Sequence, residues 1–197
     1  VYELCGIGNH AYVRIELWEA LKKLIPWLEE HQLKLKICDA FRPMSAHMAL
    51  KEAIHEKGPG IFASLAQTSK HCHGTAVDVL LTDMNGNELA YPTKVDCYRP
   101  DLAAKIQKGD TKDFYEYTKC GRHDYFAPNL EKEIANREQL KNLMESVGLI
   151  SWVGEWWHYE LPDEFNLVYP PVERRPGKRL EAVRTRTATR QAPGGIT

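Results

Sequence analysis

The stretch TAVDVLLTDMNGNEL, residues 75–89, decides how the rest of the chain is read. Its first half is aliphatic and β-branched, the composition of a strand. It runs into Asn85-Gly86, a strong short-range signal for a hairpin turn. A strand that folds back locally builds antiparallel pairing. Upstream, LKLKIC (33–38) alternates apolar and basic residues with period two, which predicts a strand from Leu33 to Cys38 with one buried face. Downstream, WVGEWWHYEL (152–161) is aromatic and β-prone, either a last strand or a strand plus a turn. Three helices surround these segments. RIELWEALKKLIPWLEEH (14–31) spaces Ile15, Trp18, Leu21 and Ile25 helically until Pro26 kinks or ends the helix. Ser45 after Pro43 is the expected cap of a helix reaching Lys57, stopped at Gly58-Pro59-Gly60. Asn129 is the expected cap of a helix whose main apolar residues are Leu130, Ile134, Leu140, Leu143 and Met144, ended by Gly148. Residues 98–127 show no clean period. Helices mixed with antiparallel hairpins, rather than regular βαβ units, indicate an α+β fold.

At 197 residues, with 43% hydrophobic and 10% aromatic content, the chain is long enough for one core and too ordinary in composition for a disordered or low-complexity protein. No apolar run approaches the ~20 residues that cross a bilayer. The balance of 26 Lys+Arg against 27 Asp+Glu hides an uneven distribution. Arg174, Arg175, Lys178, Arg179, Arg184, Arg186 and Arg190 face only Glu181 after residue 173, so the tail 174–197 is basic and the domain 1–173 acidic. An acidic body argues against a nucleic-acid groove on the folded part, and the tail reads as a disordered, solvated terminus. The cysteines Cys5, Cys38, Cys72, Cys97 and Cys120 contain no CxxC pair and suggest neither a disulfide framework nor a zinc ribbon. A start at Val1 without a leader, together with free thiols, leads to the expectation of a trimmed chain from the cytoplasm.

The chemistry concentrates in two segments. In SKHCHGTAVD (69–78), His71 and Asp78 are seven residues apart and converge only if the chain bends between them, which Gly74 permits. Asp78 sits inside an aliphatic strand, where a carboxylate is rarely buried without a partner or a metal. The bland alternative leaves it facing solvent. In Glu155-Trp156-Trp157-His158, a third ligand (His158) and a base (Glu155) for a zinc site share one turn if Glu155 lies in a bend before the strand. The bland alternative is an aromatic core strand. His71 and His73 form a weaker period-two pair. His10, His31, His47, His55 and His123 read as ordinary surface or core histidines. Arg42, in DAFRP (39–43) at a strand end, is placed either to stabilise developing oxyanion charge or to serve as an ordinary surface or salt-bridge arginine.

In this order, DAFRP, SKHCHGTAVD and EWWH resemble the zinc D-alanyl-D-alanine dipeptidases of the vancomycin-resistance type, within the D,D-peptidase/hedgehog superfamily. The likeness runs from about Tyr12 to about Pro171. It implies a small antiparallel sheet with flanking helices and one Zn²⁺ held by His71, Asp78 and His158. It further implies Glu155 as general base and acid, Arg42 on the tetrahedral intermediate, and Ser69 and Asp96 recognising the free amino group of a small dipeptide substrate. The chain departs from that pattern at two points: the stretch after Asp96 is longer, so residues 98–127 are expected to form a lid that changes substrate length, and Lys70 stands where the family has a small polar residue, either to meet a substrate carboxylate or to face solvent. The competing readings are a D,D- or L,D-carboxypeptidase acting on peptidoglycan stems and a non-catalytic, zinc-stabilised binding module.

Overall fold

The computed structural model describes residues 10–49, 69–97, 116 and 119–165. The far part of the expected Ser45–Lys57 helix, His55, most of 98–118 and the basic tail lie outside the described residues. The elements run α1 (Ile15–Lys22), α2 (Ile25–Glu30), β1 (Leu33–Asp39), α3 (44–49), α4 (Lys70–His73), β2 (Ala76–Asp83), a 3-10 turn (Lys119–Gly121), α5 (Glu131–Ser146), β3 (Ile150–Ser151) and β4 (His158–Glu160). The four strands form one antiparallel sheet in the order β1-β2-β4-β3, so the fold is α+β as expected. Among the described residues no helix is long and apolar enough to cross a membrane.

Strand β2 lies inside the sheet and is buried along almost its whole length. That explains its near-continuous aliphatic run, since a strand covered on both faces has no polar side to alternate with. Val77, Val79 and Leu81 join Leu17, Leu21 and Leu24 of the N-terminal region, Leu140 and Met144 of α5, and Trp156, Trp157 and Tyr159 in one core. The hairpin expected at Asn85-Gly86 forms, with Gly86 at φ 90° and the Asp83 carboxylate accepting from Asn85 N, Asn87 N and Asn87 Nδ2. Its return arm, however, is a single bridge between Thr82 and Glu88. The long-range partners β1 and β4 supply the remaining pairing.

Three helix expectations are corrected. The break at Pro26 does divide the first segment, but the buried face of α1 is Leu17, Ala20 and Leu21, while Ile15 and Ile25 are 57% and 45% exposed. Leu21 of the expected stripe is buried, but Leu17, Ala20 and Leu24 complete the face at i, i+3, i+4 and i+7, which leaves Ile15 and Ile25 off it. Ser45 lies within α3 rather than capping it, because the helix already begins at 44. Asn129 does not cap α5; it takes a left-handed φ of 65°, and Leu130 occupies the cap position. Asn tolerates that conformation well, so the residue expected to start the helix instead turns the chain into it.

Candidate metal centre and active site

The register of β2 assembles the site. Asp78 lies opposite His158 of β4 on one side and opposite Asp39 of β1 on the other. Directly opposed residues on antiparallel strands have Cβ atoms ~5 Å apart, so the pairing alone brings an imidazole to the Asp78 carboxylate. A bulge between Ile37 and Asp39 shifts the register of β1 just where it reaches the site, and bulges commonly re-aim side chains in this way. His71 arrives from the one-turn helix α4, which Gly74 ends in the left-handed conformation at φ 72°. The bend expected at Gly74 is therefore present, and Asp78, only 6% exposed, does not face solvent.

One donor atom each from His71, Asp78 and His158 lies within 4.8 Å of the others, and all three residues are buried. His71 Nε2 is 3.4 Å from Asp78 Oδ1, His158 Nδ1 is 3.0 Å from the same oxygen, and the two imidazole nitrogens are 3.2 Å apart. Each ring's other nitrogen is occupied outside the cluster. His71 Nδ1 donates to the Ala40 carbonyl at 2.9 Å, and His158 Nε2 is 3.2 Å from Glu160 Oε2. Such outer partners orient each ring and hold its inward nitrogen toward the position a metal would take. The donor set, two imidazoles and one carboxylate, suits Zn²⁺ with a fourth position left for water. The residues present therefore fit the ion that the sequence implies.

Burial makes the cluster's electrostatics strong. Desolvation opposes ionisation of Asp78, but His71 and His158 outweigh it and hold the carboxyl well below the usual carboxylate range. Burial likewise opposes a proton on His71, and Asp78 and Asp39 more than offset it. For His158, Asp78 and Glu160 overcome burial and raise the pKa to about 10 in the metal-free protein.

Glu155 sits in the turn before β4, 8% exposed, with Oε2 3.8 Å from His158 Nδ1. The bend that its role requires is thus present, and WVGEWWHYEL is strand plus turn rather than one strand. Arg42 pairs with Asp39, meets His47 Nδ1 at 3.2 Å, and its amide donates to the His71 carbonyl. Burial disfavours its charge, but Asp39, with Asp78 beyond, leaves the pKa above the ordinary value. Ser69 precedes α4 as its cap residue, two positions before His71. Asp96, at φ 58°, is accessible to solvent; crowding of its carboxyl raises the pKa, Asp78 and Asp39 add to the rise, and Arg42 and His71 oppose it. Those couplings put Asp96 within electrostatic reach of the cluster.

Lys70 neither faces solvent freely nor stands ready for a substrate. It pairs with Asp163 and lies 3.5 Å from Glu160 Oε1. His73 is in a helical turn, not a strand, so the period-two pair with His71 does not arise. His47 and His123 are buried, and His31 stacks on Trp27 at the surface. Sequence reasoning missed Glu160 and Ala40. The first was findable, since Glu160 is two residues from His158 on a strand and so shares its face; a backbone carbonyl leaves no trace in the sequence.

Fold and site together define an α+β protein organised around a candidate metal-dependent hydrolase centre. A family model described as D-ala-D-ala dipeptidase matches residues 113–175. The D-alanyl-D-alanine dipeptidase of Escherichia coli (strain K12) is 30% identical over 143 residues, covering 73% of this chain and 63% of that protein. The enzymes so named from Enterococcus faecium and Streptomyces coelicolor are 30% and 31% identical over 101 and 100 residues, each match covering 51% of this chain and 40% of the relative. The chain is thus similar to the D-alanyl-D-alanine dipeptidases over most of its own length. It spans less than two thirds of the length of these relatives.

Proposed function

We propose that this chain is a zinc-dependent D-alanyl-D-alanine dipeptidase that cleaves the free dipeptide in cell-wall peptide metabolism, within the cytoplasm. The observation that carries the reading is the buried convergence of His71, Asp78 and His158 beside Glu155. When bound, zinc supplies Lewis acidity, polarising a peptide carbonyl and lowering the pKa of water toward ~7. Glu155 accepts the proton of the attacking water and hands it to the leaving nitrogen. Arg42, its guanidinium held by Asp39, donates to the carbonyl oxygen as negative charge grows there, so its contribution is largest in the transition state. Asp96 and the Ser69 hydroxyl take the substrate's ammonium group. An N-acylated peptide would meet Asp96 without its positive charge, which restricts cleavage to short substrates with a free N-terminus.

The test is hydrolysis of D-Ala-D-Ala, an N-acylated D-Ala-D-Ala and a stem pentapeptide by metal-quantified protein, with and without a chelator. Chelator-sensitive cleavage of the free dipeptide alone is expected. Cleavage of the longer substrates would identify a carboxypeptidase, and a bound ion without cleavage a binding module. In Glu155→Gln, zinc stoichiometry should stay at one per chain while turnover falls ~10²–10⁴-fold; loss of the metal from that variant would remove Glu155 from the base role.

A further inference from the structure

Cys97 and Cys120 lie 23 positions apart in the chain, yet their sulfurs are 2.8 Å apart, inside van der Waals contact but beyond the roughly 2.05 Å of a disulfide. Cys120 Sγ also donates to the Cys97 carbonyl at 2.9 Å. Both thiols are partly exposed, so a small oxidant reaches them. The segments that carry them are already docked. Thr93 Oγ1 donates to the Cys120 carbonyl at 2.8 Å and accepts from Trp156 Nε1 at 3.0 Å, while Trp156 N donates to the Gly121 carbonyl at 2.7 Å. The residue before Cys97 is Asp96, held at positive φ, a conformation that a non-glycine residue keeps only where its surroundings impose it.

We propose that Cys97 and Cys120 form a redox-sensitive intrachain disulfide that fastens the Asp96 turn to the Lys119–Gly121 turn behind Trp156. Its effect on substrate affinity rests on the dipeptidase reading, in which Asp96 meets the substrate ammonium. The oxidant is a small-molecule disulfide such as glutathione disulfide. One protein sulfur attacks it and releases one glutathione; the second protein sulfur then attacks the first and releases the other. The Cys97–Cys120 bond forms, the external S–S bond breaks, and two glutathione thiols carry away two electrons and two protons. Burial and the neighbouring Cys97 push the Cys120 thiol up to about 12, which disfavours Cys120 as the attacking sulfur.

The experiment equilibrates the full chain in buffers of graded glutathione to glutathione-disulfide ratio and reads intact mass and peptide maps. The expected result is a two-hydrogen mass loss with a linked Cys97–Cys120 peptide. C97S and C120S should lack that link and instead collect a glutathione adduct on the remaining partner thiol. Separate glutathione adducts on both cysteines of the native chain, or a link to Cys5 or Cys38, would overturn the pairing. On oxidation the KM for the free dipeptide should fall severalfold with kcat nearly constant, and C120S should show no response. A mapped disulfide with an unmoved KM would overturn the coupling to Asp96. A mapped disulfide in a protein that cleaves no dipeptide would leave the pairing standing and overturn the dipeptidase reading instead.

Discussion

Without metal, His158 lies between two carboxylates, Asp78 at Nδ1 and Glu160 at Nε2, and therefore keeps its proton to about pH 10. An ion that binds Nδ1 must displace that proton. Zinc uptake near pH 7 should release at least one proton per ion, and apparent affinity should drop by about tenfold for each unit of acidification in that range. Calorimetric titration in two buffers of different ionisation enthalpy reads the proton count directly. Asp78→Asn should abolish stoichiometric zinc, because an amide offers a weak neutral donor where the cluster needs a charge; an unchanged metal content would show that the carboxylate is not a ligand. At this scale much of the site was legible: a carboxylate inside AVDVLL and a histidine after two tryptophans are both out of place in an apolar strand. The tethers of Arg42 to Asp39 and of His71 to the Ala40 carbonyl were not, because they depend on where β1 bulges.

Among the elements, α4 is a single four-residue turn, and Gly74 is its hinge. A Cβ at Gly74 would find ordinary contacts, 3.5 Å to Arg14 and 3.8 Å to Phe41, so the obstacle to a side chain there is φ +72° rather than space. Gly74→Ala should therefore cost about 1–2 kcal/mol of stability in chemical denaturation and weaken zinc binding by shifting His71. Gly121 is the opposite case. A Cβ there would lie 2.9 Å from the buried ring of Trp157 and 3.2 Å from the Gly154 carbonyl, so a substitution must displace the turn that carries Glu155. The existence and type of the long elements could be read from the chain, and so could the Gly74 bend. The face of α1 could not, since its apolar residues admit two stripes. The return arm of the hairpin was overestimated because Asn85-Gly86 specifies a turn but not how far pairing continues beyond it.

For the molecule as a whole, the sheet order β1-β2-β4-β3 was beyond local pattern, since both neighbours of β2 come from distant parts of the chain. Two predictions belong at this scale. Because the donors come from α4, β2 and β4, zinc at 1,000 times its dissociation constant should stabilise the fold by ~4 kcal/mol, raising Tm by about 10 °C for a chain of this size; chelation in a thermal melt should reverse the shift. The second concerns His123, buried with neither ring nitrogen hydrogen-bonded among the described residues. Burial, then Lys141 and Arg137, depress its pKa to about 4. The unfolded chain protonates nearer 6.5 and thus binds more protons in between. The associated stability is complete above about pH 6.5 and is lost as pH falls toward 4. Urea titrations of the native chain and His123→Phe at several pH values should diverge only in that window.

The separation between the two histidines of the cluster has a consequence for how the protein is made. His71 and His158 lie 87 positions apart, and among the described residues β4 is the last strand of the sheet. Between Asp78 and His158 a nascent chain therefore carries two donors and no third, and a truncated product that stops before His158 never acquires one. Metal retention thus reports that synthesis has run through β4.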